Sequence, residues 1–140
     1  MKLADNVIIG GIFCISLTNR KNKRRKMNKH LRKRKISVQY FYAEPHKNPR
    51  IGCLESHLEI LRIAKMKKLN SVMILEDDAR IAPRSMYIEK SPPDDWEMIY
   101  LGGNVQQLLN DENVLDIRSY WKRVRSVSYT HLTLPTTPYV

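Results

Sequence analysis

Val72-Met73-Ile74-Leu75-Glu76-Asp77-Asp78 runs four apolar residues straight into three carboxylates. A short continuous apolar run is how a strand buried on both faces reads, as in a parallel sheet covered by helices. In open α/β sheets, ligands gather just beyond the carboxyl ends of the strands. The run therefore predicts a buried strand that delivers three acidic side chains to a ligand-binding end. Adjacent carboxylates repel one another, and a bound cation offsets that cost. A divalent cation carrying a nucleotide diphosphate is the most economical partner. A plain acidic turn after a strand is the competing reading, and spacing alone leaves both open.

The segments on either side supply the rest of an α/β pattern. Val7–Leu17 reads as a first buried strand that starts after Gly10-Gly11. Thr18 or Asn19 is placed to cap a helix over Arg20–Arg34, whose Met27 and Leu31, four apart, form a thin apolar stripe. Ser37–Ala43 alternates and is rich in aromatics, which predicts a second strand. Glu44–Arg50 contains Pro45 and Pro49 and reads as loop. Leu54, Leu58 and Leu61, with Ile60, Ile63 and Ala64, recur at helical spacing and predict a helix from about Leu54 to Lys68. Leu69-Asn70-Ser71 is the turn into the acidic strand, and Ala82-Pro83 ends the segment after the carboxylates. Tyr87–Asp95 reads as loop or short helix, and Trp96–Leu101 as a fourth strand stopped by Gly102-Gly103. This order predicts an α/β domain with a mainly parallel sheet.

A chain of 140 residues, 42% of them hydrophobic, fits one small domain with a core. Its charge is lopsided. Residues 1–70 carry 18 Lys/Arg against 4 Asp/Glu, whereas residues 71–140 carry 7 against 10, within a formal net charge of +11. Eleven of the 16 residues in Arg20–Lys35 are basic, so the excess belongs to one patch. Val7–Leu17 is too short to span a membrane and lacks the flanks of a signal peptide. Cys14 and Cys53 make neither a disulfide framework nor a metal-ligand spacing, and a reducing compartment is the default. Residues 127–140 contain no charged side chain and are rich in Thr and Pro. They read as a non-native linker or an extended tail, which leaves residues 1–126 as the domain and a C-terminally truncated fragment as the expectation.

Four stretches then align with a known pattern: Ile15-Ser16-Leu17-Thr18-Asn19-Arg20 followed by Arg24-Arg25; Gly52-Cys53-Leu54-Glu55-Ser56-His57-Leu58; Ile74-Leu75-Glu76-Asp77-Asp78; and Trp96-Glu97-Met98-Ile99-Tyr100-Leu101-Gly102-Gly103. In this order and at these intervals, over about Ile12–Gly103, the chain resembles glycosyltransferase family 25. That family comprises lipooligosaccharide transferases and relatives that galactosylate collagen. It usually carries Asn where Ser16 stands.

The resemblance implies an incomplete GT-A-like nucleotide-binding domain. It implies metal-dependent transfer of a sugar, most commonly galactose, from a UDP-sugar to a glycan, lipid-linked or protein hydroxyl. It makes Asp78 the expected direct Mn²⁺ or Mg²⁺ ligand, with Glu76 on the ribose or a metal-bound water. Arg20, Arg24, Gly52, Ser56, His57, Asp77 and Gly102 are the further donor-binding candidates, with Ser56 and His57 in the first turn of their helix. Gly52 allows a tight turn or a close backbone approach. The base of an inverting transferase is not identifiable. Asp94, Asp95, Asp111, Glu112 and Asp116 are candidates only by elimination, and the acceptor half is expected outside the native segment retained here.

The rival reading is a nucleic-acid-binding module using Arg20–Lys35. The aromatics Tyr40, Phe41 and Tyr42 follow that run without interleaving it, and no RNA-binding or zinc signature is present, which argues against nucleic acid as the partner. The same basic helix suits peripheral contact with an anionic membrane, its apolar stripe being too thin for deep insertion. A cytoplasmic, membrane-peripheral location is the matching expectation.

Overall fold

The structure is a computed structural model that describes residues 1–81, 88, 91, 92, 94–99, 101, 114–116 and 122–124. Among them, a three-stranded parallel sheet carries two helices. The strands are β3 (Gly11–Leu17), β4 (Gln39–Ala43) and β5 (Val72–Glu76), in the order β4-β3-β5. Two segments precede them: β1 (Lys2–Ala4) and β2 (Val7–Ile8) pair as an antiparallel hairpin around Asp5-Asn6. Val7 therefore belongs to a hairpin, and the buried strand begins at Gly11.

The chain visits the central strand first, then one neighbour, then the other. Successive crossovers thus run in opposite directions across the sheet. Because such crossovers are right-handed, the two helices fall on opposite faces. Side-chain parity agrees. Cys14, Met73 and Leu75 join Met27 and Leu31 of α1 (Lys21–Arg32), and Leu3, Ala4 and Val7 of the hairpin, in one buried cluster. Phe13, of the opposite parity on β3, is also buried, at 3% exposure. On that side α2 (Pro49–Met66) packs across all three strands and buries Ser56, Ile60 and Ala64. Tyr40 in β4 fastens α1 by donating its hydroxyl to Asn28 Oδ1 at 2.8 Å.

The helix boundaries differ from expectation for local reasons. Helix α1 is flanked by Arg20 as its N-cap, with no side-chain capping bond, so neither Thr18 nor Asn19 caps it. Helix α2 starts at Pro49, five residues ahead of the expected Leu54. Asn48 accepts from the Arg50 amide, and Pro49 takes the first helical position, where its missing N–H is no loss. Gly52 is therefore inside a helix, and a tight turn there is ruled out. Its lack of a side chain serves close approach: a Cβ would come within 2.7 Å of the His46 Cβ.

The described residues of Trp96–Leu101 form no strand. Trp96, Ile99 and Leu101 instead lay half-buried side chains on the α1-side core. Ile88 donates its amide to the Leu3 carbonyl at 2.7 Å, and Asn6 Nδ2 binds Pro92 O at 2.8 Å and Asp94 Oδ1 at 2.7 Å. The chain after β5 is thus drawn to the N-terminal hairpin. Two short strands, β6 (Val114–Asp116) and β7 (Lys122–Val124), pair antiparallel. Among the described residues, no helix is long and apolar enough to cross a membrane.

Candidate functional site

A sheet whose first strand is central has its topological switch between that strand and the third. The crevice beyond their carboxyl ends is the usual ligand position in such sheets. Here that crevice lies past Leu17 of β3 and Glu76 of β5, and Glu76-Asp77-Asp78 enters it directly.

The pleat of β5 separates neighbouring carboxylates. Asp77 continues the parity of Met73 and Leu75 and turns towards α1. It is buried at 3% exposure and accepts from Ser16 Oγ at 2.7 Å and from Arg20 Nη1 at 3.3 Å. Glu76 continues the parity of Ile74 and turns towards α2, where Cys53 Sγ lies 3.9 Å from its Oε1. Asp78 sits in the tight turn closed by the Ala79 amide on the Glu76 carbonyl at 3.0 Å. Its Oδ2 is 3.7 Å from Lys23 Nζ, whereas its Oδ1 is buried without a hydrogen-bond partner.

These environments set the protonation states. Burial, then the charges of Asp78 and Asp77, push the Glu76 carboxyl up to about 7. Burial and the same acidic cluster raise the Cys14 thiol to about 12; burial and Glu76 raise Cys53 to about 11, so neither thiol is a ready nucleophile at neutral pH. His57 is held below its ordinary value by burial, with Nδ1 against the Cys53 carbonyl at 2.9 Å. That bond leaves Nε2 as the ring's remaining polar atom.

The other candidates divide sharply. Arg20 is half exposed at the rim and already pairs with Asp77. Arg24 is bound to the carboxyl end of β3: Nη1 reaches the Ser16 hydroxyl at 3.1 Å and the Leu17 carbonyl, and Nη2 reaches the Thr18 carbonyl at 3.0 Å. Its guanidinium also lies 5.2 Å from the Tyr42 ring centre. Ser56 is buried and donates to the Gly52 carbonyl within its own helix at 2.7 Å. Because α2 begins at Pro49, Ser56 and His57 lie beyond its first turn. Gly102, Gly103, Asp111 and Glu112 fall outside the described residues, as does the 127–140 tail. Asp94 is tied to Asn6.

Three residues were not among the site candidates read from the sequence. Ser16, 1% exposed, is the hub that joins Asp77 to Arg24. Its signal was a polar residue inside an apolar strand, which needs a buried partner. Lys23 Nζ lies 3.7 Å from Asp78 Oδ2. His30 Nε2 accepts from the Ile81 amide at 2.9 Å and so ties the segment after the acidic turn to α1.

The fold and this crevice define an α/β domain with an acidic site at the switch point of a parallel sheet. Comparison with family models, curated proteins and solved structures finds no match to the chain.

Proposed function

We propose that the chain is the donor-binding part of a metal-dependent glycosyltransferase of GT-A type. It would use a nucleotide sugar, with UDP-galactose as the first donor to test, and a glycan, lipid-linked or protein hydroxyl as acceptor. The observation that carries the reading is Asp78 Oδ1, a buried carboxylate oxygen without a partner at the mouth of the switch-point crevice. An unpaired buried carboxylate oxygen is costly, and a hard divalent cation is the ligand that offsets it.

The protein's own described side chains do not complete a coordination shell. Among the described residues no three His, Cys, Asp or Glu side chains form a ready-made metal cage. Asp78 and Glu76 are the residues that would hold Mn²⁺ or Mg²⁺, leaving coordination positions for phosphate oxygens. When bound, the cation would neutralise charge building on the departing nucleoside diphosphate. Asp77 takes a different part. Fixed by Ser16 and Arg20, it holds the turn so that Asp78 is presented from a rigid strand end. Arg20, half exposed and paired with Asp77 through Nη1, is the guanidinium whose other N–H groups would meet a phosphate. Arg24 serves by fastening β3 to α1, and Gly52 and Ser56 by shaping α2 under Glu76.

Thermal unfolding with Mn²⁺ and UDP together tests this. Ligand at about 100 times its dissociation constant adds about 2.7 kcal/mol, a rise of several degrees in Tm for a chain of this size. The rise requires both components and disappears in Asp78→Ala. No shift with any sugar nucleotide, in a chain shown to be folded, refutes the proposal.

A further inference from the structure

The outer face of α1 is a ladder of like charges. Met27 and Leu31 point into the core, and the opposite side of the helix presents Lys21, Arg25, Lys29 and Lys33, all exposed and spaced four apart. Arg32 and Lys26, also exposed, widen the stripe. At 1.5 Å per residue the ladder is about 18 Å long. Helix α1 contains no acidic residue, and among the described residues none of these six cations has a carboxylate within ion-pair distance. Like charges at this spacing oppose helix formation, and the ladder contains three such consecutive pairs. The fold keeps this repulsion on a helix whose buried side supplies only Met27 and Leu31 to the core. An anionic surface would relieve it.

We infer that the Lys21–Lys33 stripe of α1 docks the protein on an anionic lipid surface. The inference is independent of whether the crevice transfers a sugar. Three features favour a lipid layer over a nucleic acid. The stripe is straight and lies on the side of the helix opposite its buried Met27 and Leu31. It exposes no aromatic side chain on which bases could stack. Lysine, a point charge without a fixed fork, supplies four of the six cations, which suits a headgroup layer that demands no bidentate geometry. The absence of a large apolar residue on this face means that the helix rests on the surface without entering it.

Vesicle co-sedimentation of the full chain tests the inference. Binding is expected to phosphatidylcholine vesicles containing about one-third phosphatidylserine, with none to pure phosphatidylcholine, and a steep fall as salt rises from about 0.1 to 0.5 M. Each neutralised cation lowers the partition constant about five-fold, so the quadruple change Lys21→Gln, Arg25→Gln, Lys29→Gln and Lys33→Gln lowers it several hundred-fold. That variant relieves repulsion and is expected to melt no lower than the wild type. If it fails to fold, the vesicle-charge and salt dependence of the wild type decides alone. Equal binding to neutral vesicles, no binding to charged ones, an undiminished quadruple variant, or tighter binding to duplex or single-stranded nucleic acid at the same salt overturns the inference.

Discussion

Ser16→Ala isolates the clamp that orders the acidic turn. The change removes one hydroxyl from a site 1% exposed, so it opens almost no cavity. The loss is the 2.7 Å hydrogen bond to Asp77 Oδ2, leaving that oxygen of a buried carboxylate without its donor. Hydrogen bonds to charged groups contribute about 1.5–3 kcal/mol, and a stranded buried acceptor retains most of that cost. Arg24 loses one acceptor but keeps the Leu17 and Thr18 carbonyls, so its share is small. The expected loss is about 2 kcal/mol, which at an m-value near 2 kcal/mol/M moves the urea midpoint down by about 1 M. Asp77→Asn should interact with it. Once the carboxylate is neutral, the serine bond is no longer charge-assisted, and Ser16→Ala costs about 1 kcal/mol less in that background. Urea unfolding of the four proteins in the double-mutant cycle measures both quantities. A Ser16→Ala cost under about 0.5 kcal/mol, or strict additivity with Asp77→Asn, would refute the assignment of Ser16 as the clamp.

Glu76 makes stability depend on pH in the opposite sense to most carboxylates. Its carboxyl is raised from 4.5 to about 7, so between those values the folded chain keeps a proton that the unfolded chain has lost. In metal-free buffer, stability therefore falls as pH rises through that window and levels off above it. Glu76→Gln should flatten this slope, and urea midpoints taken across the range would show whether it does. Gly52→Ala gains helix propensity but drives a Cβ to within 2.7 Å of the His46 Cβ, and His46 is held by the Asn48 amide at 2.9 Å. Overpacking outweighs propensity, and a net loss of about 1 kcal/mol is expected in the same assay; an alanine variant as stable as the wild type would show that the His46 loop gives way freely.

The apolar run into Glu76, the aromatic strand ahead of α2 and the Met27–Leu31 stripe were legible because each is a local pattern with one physical solution. The features that escaped depend on contacts distant in sequence or on two local signals read together. Pro49 was read as loop punctuation, yet after Asn48 it is a helix start, since a capping side chain and a first-turn proline together reverse its meaning. Trp96–Leu101 has strand composition, but among its described residues Trp96, Ile99 and Leu101 pack on the core and none joins a ladder. The acidic site was visible as a cluster. The distinct environments of its three members were not, because they depend on Ser16, Arg20, Cys53 and Lys23, brought in from other elements.

The pleat of β5 gives those neighbours separate duties by the parity of their positions. Odd positions 73, 75 and 77 serve the α1 side, and even positions 74 and 76 serve the α2 side. Inserting one residue ahead of Met73 would exchange the two programmes: Glu76 would arrive at the serine clamp, Leu75 at the thiol, and the core face of the strand would be turned outward. Inserting two would preserve the parity of every side chain. The strand thus acts as a reading frame for its own ligand end, tolerant of even shifts and intolerant of odd ones.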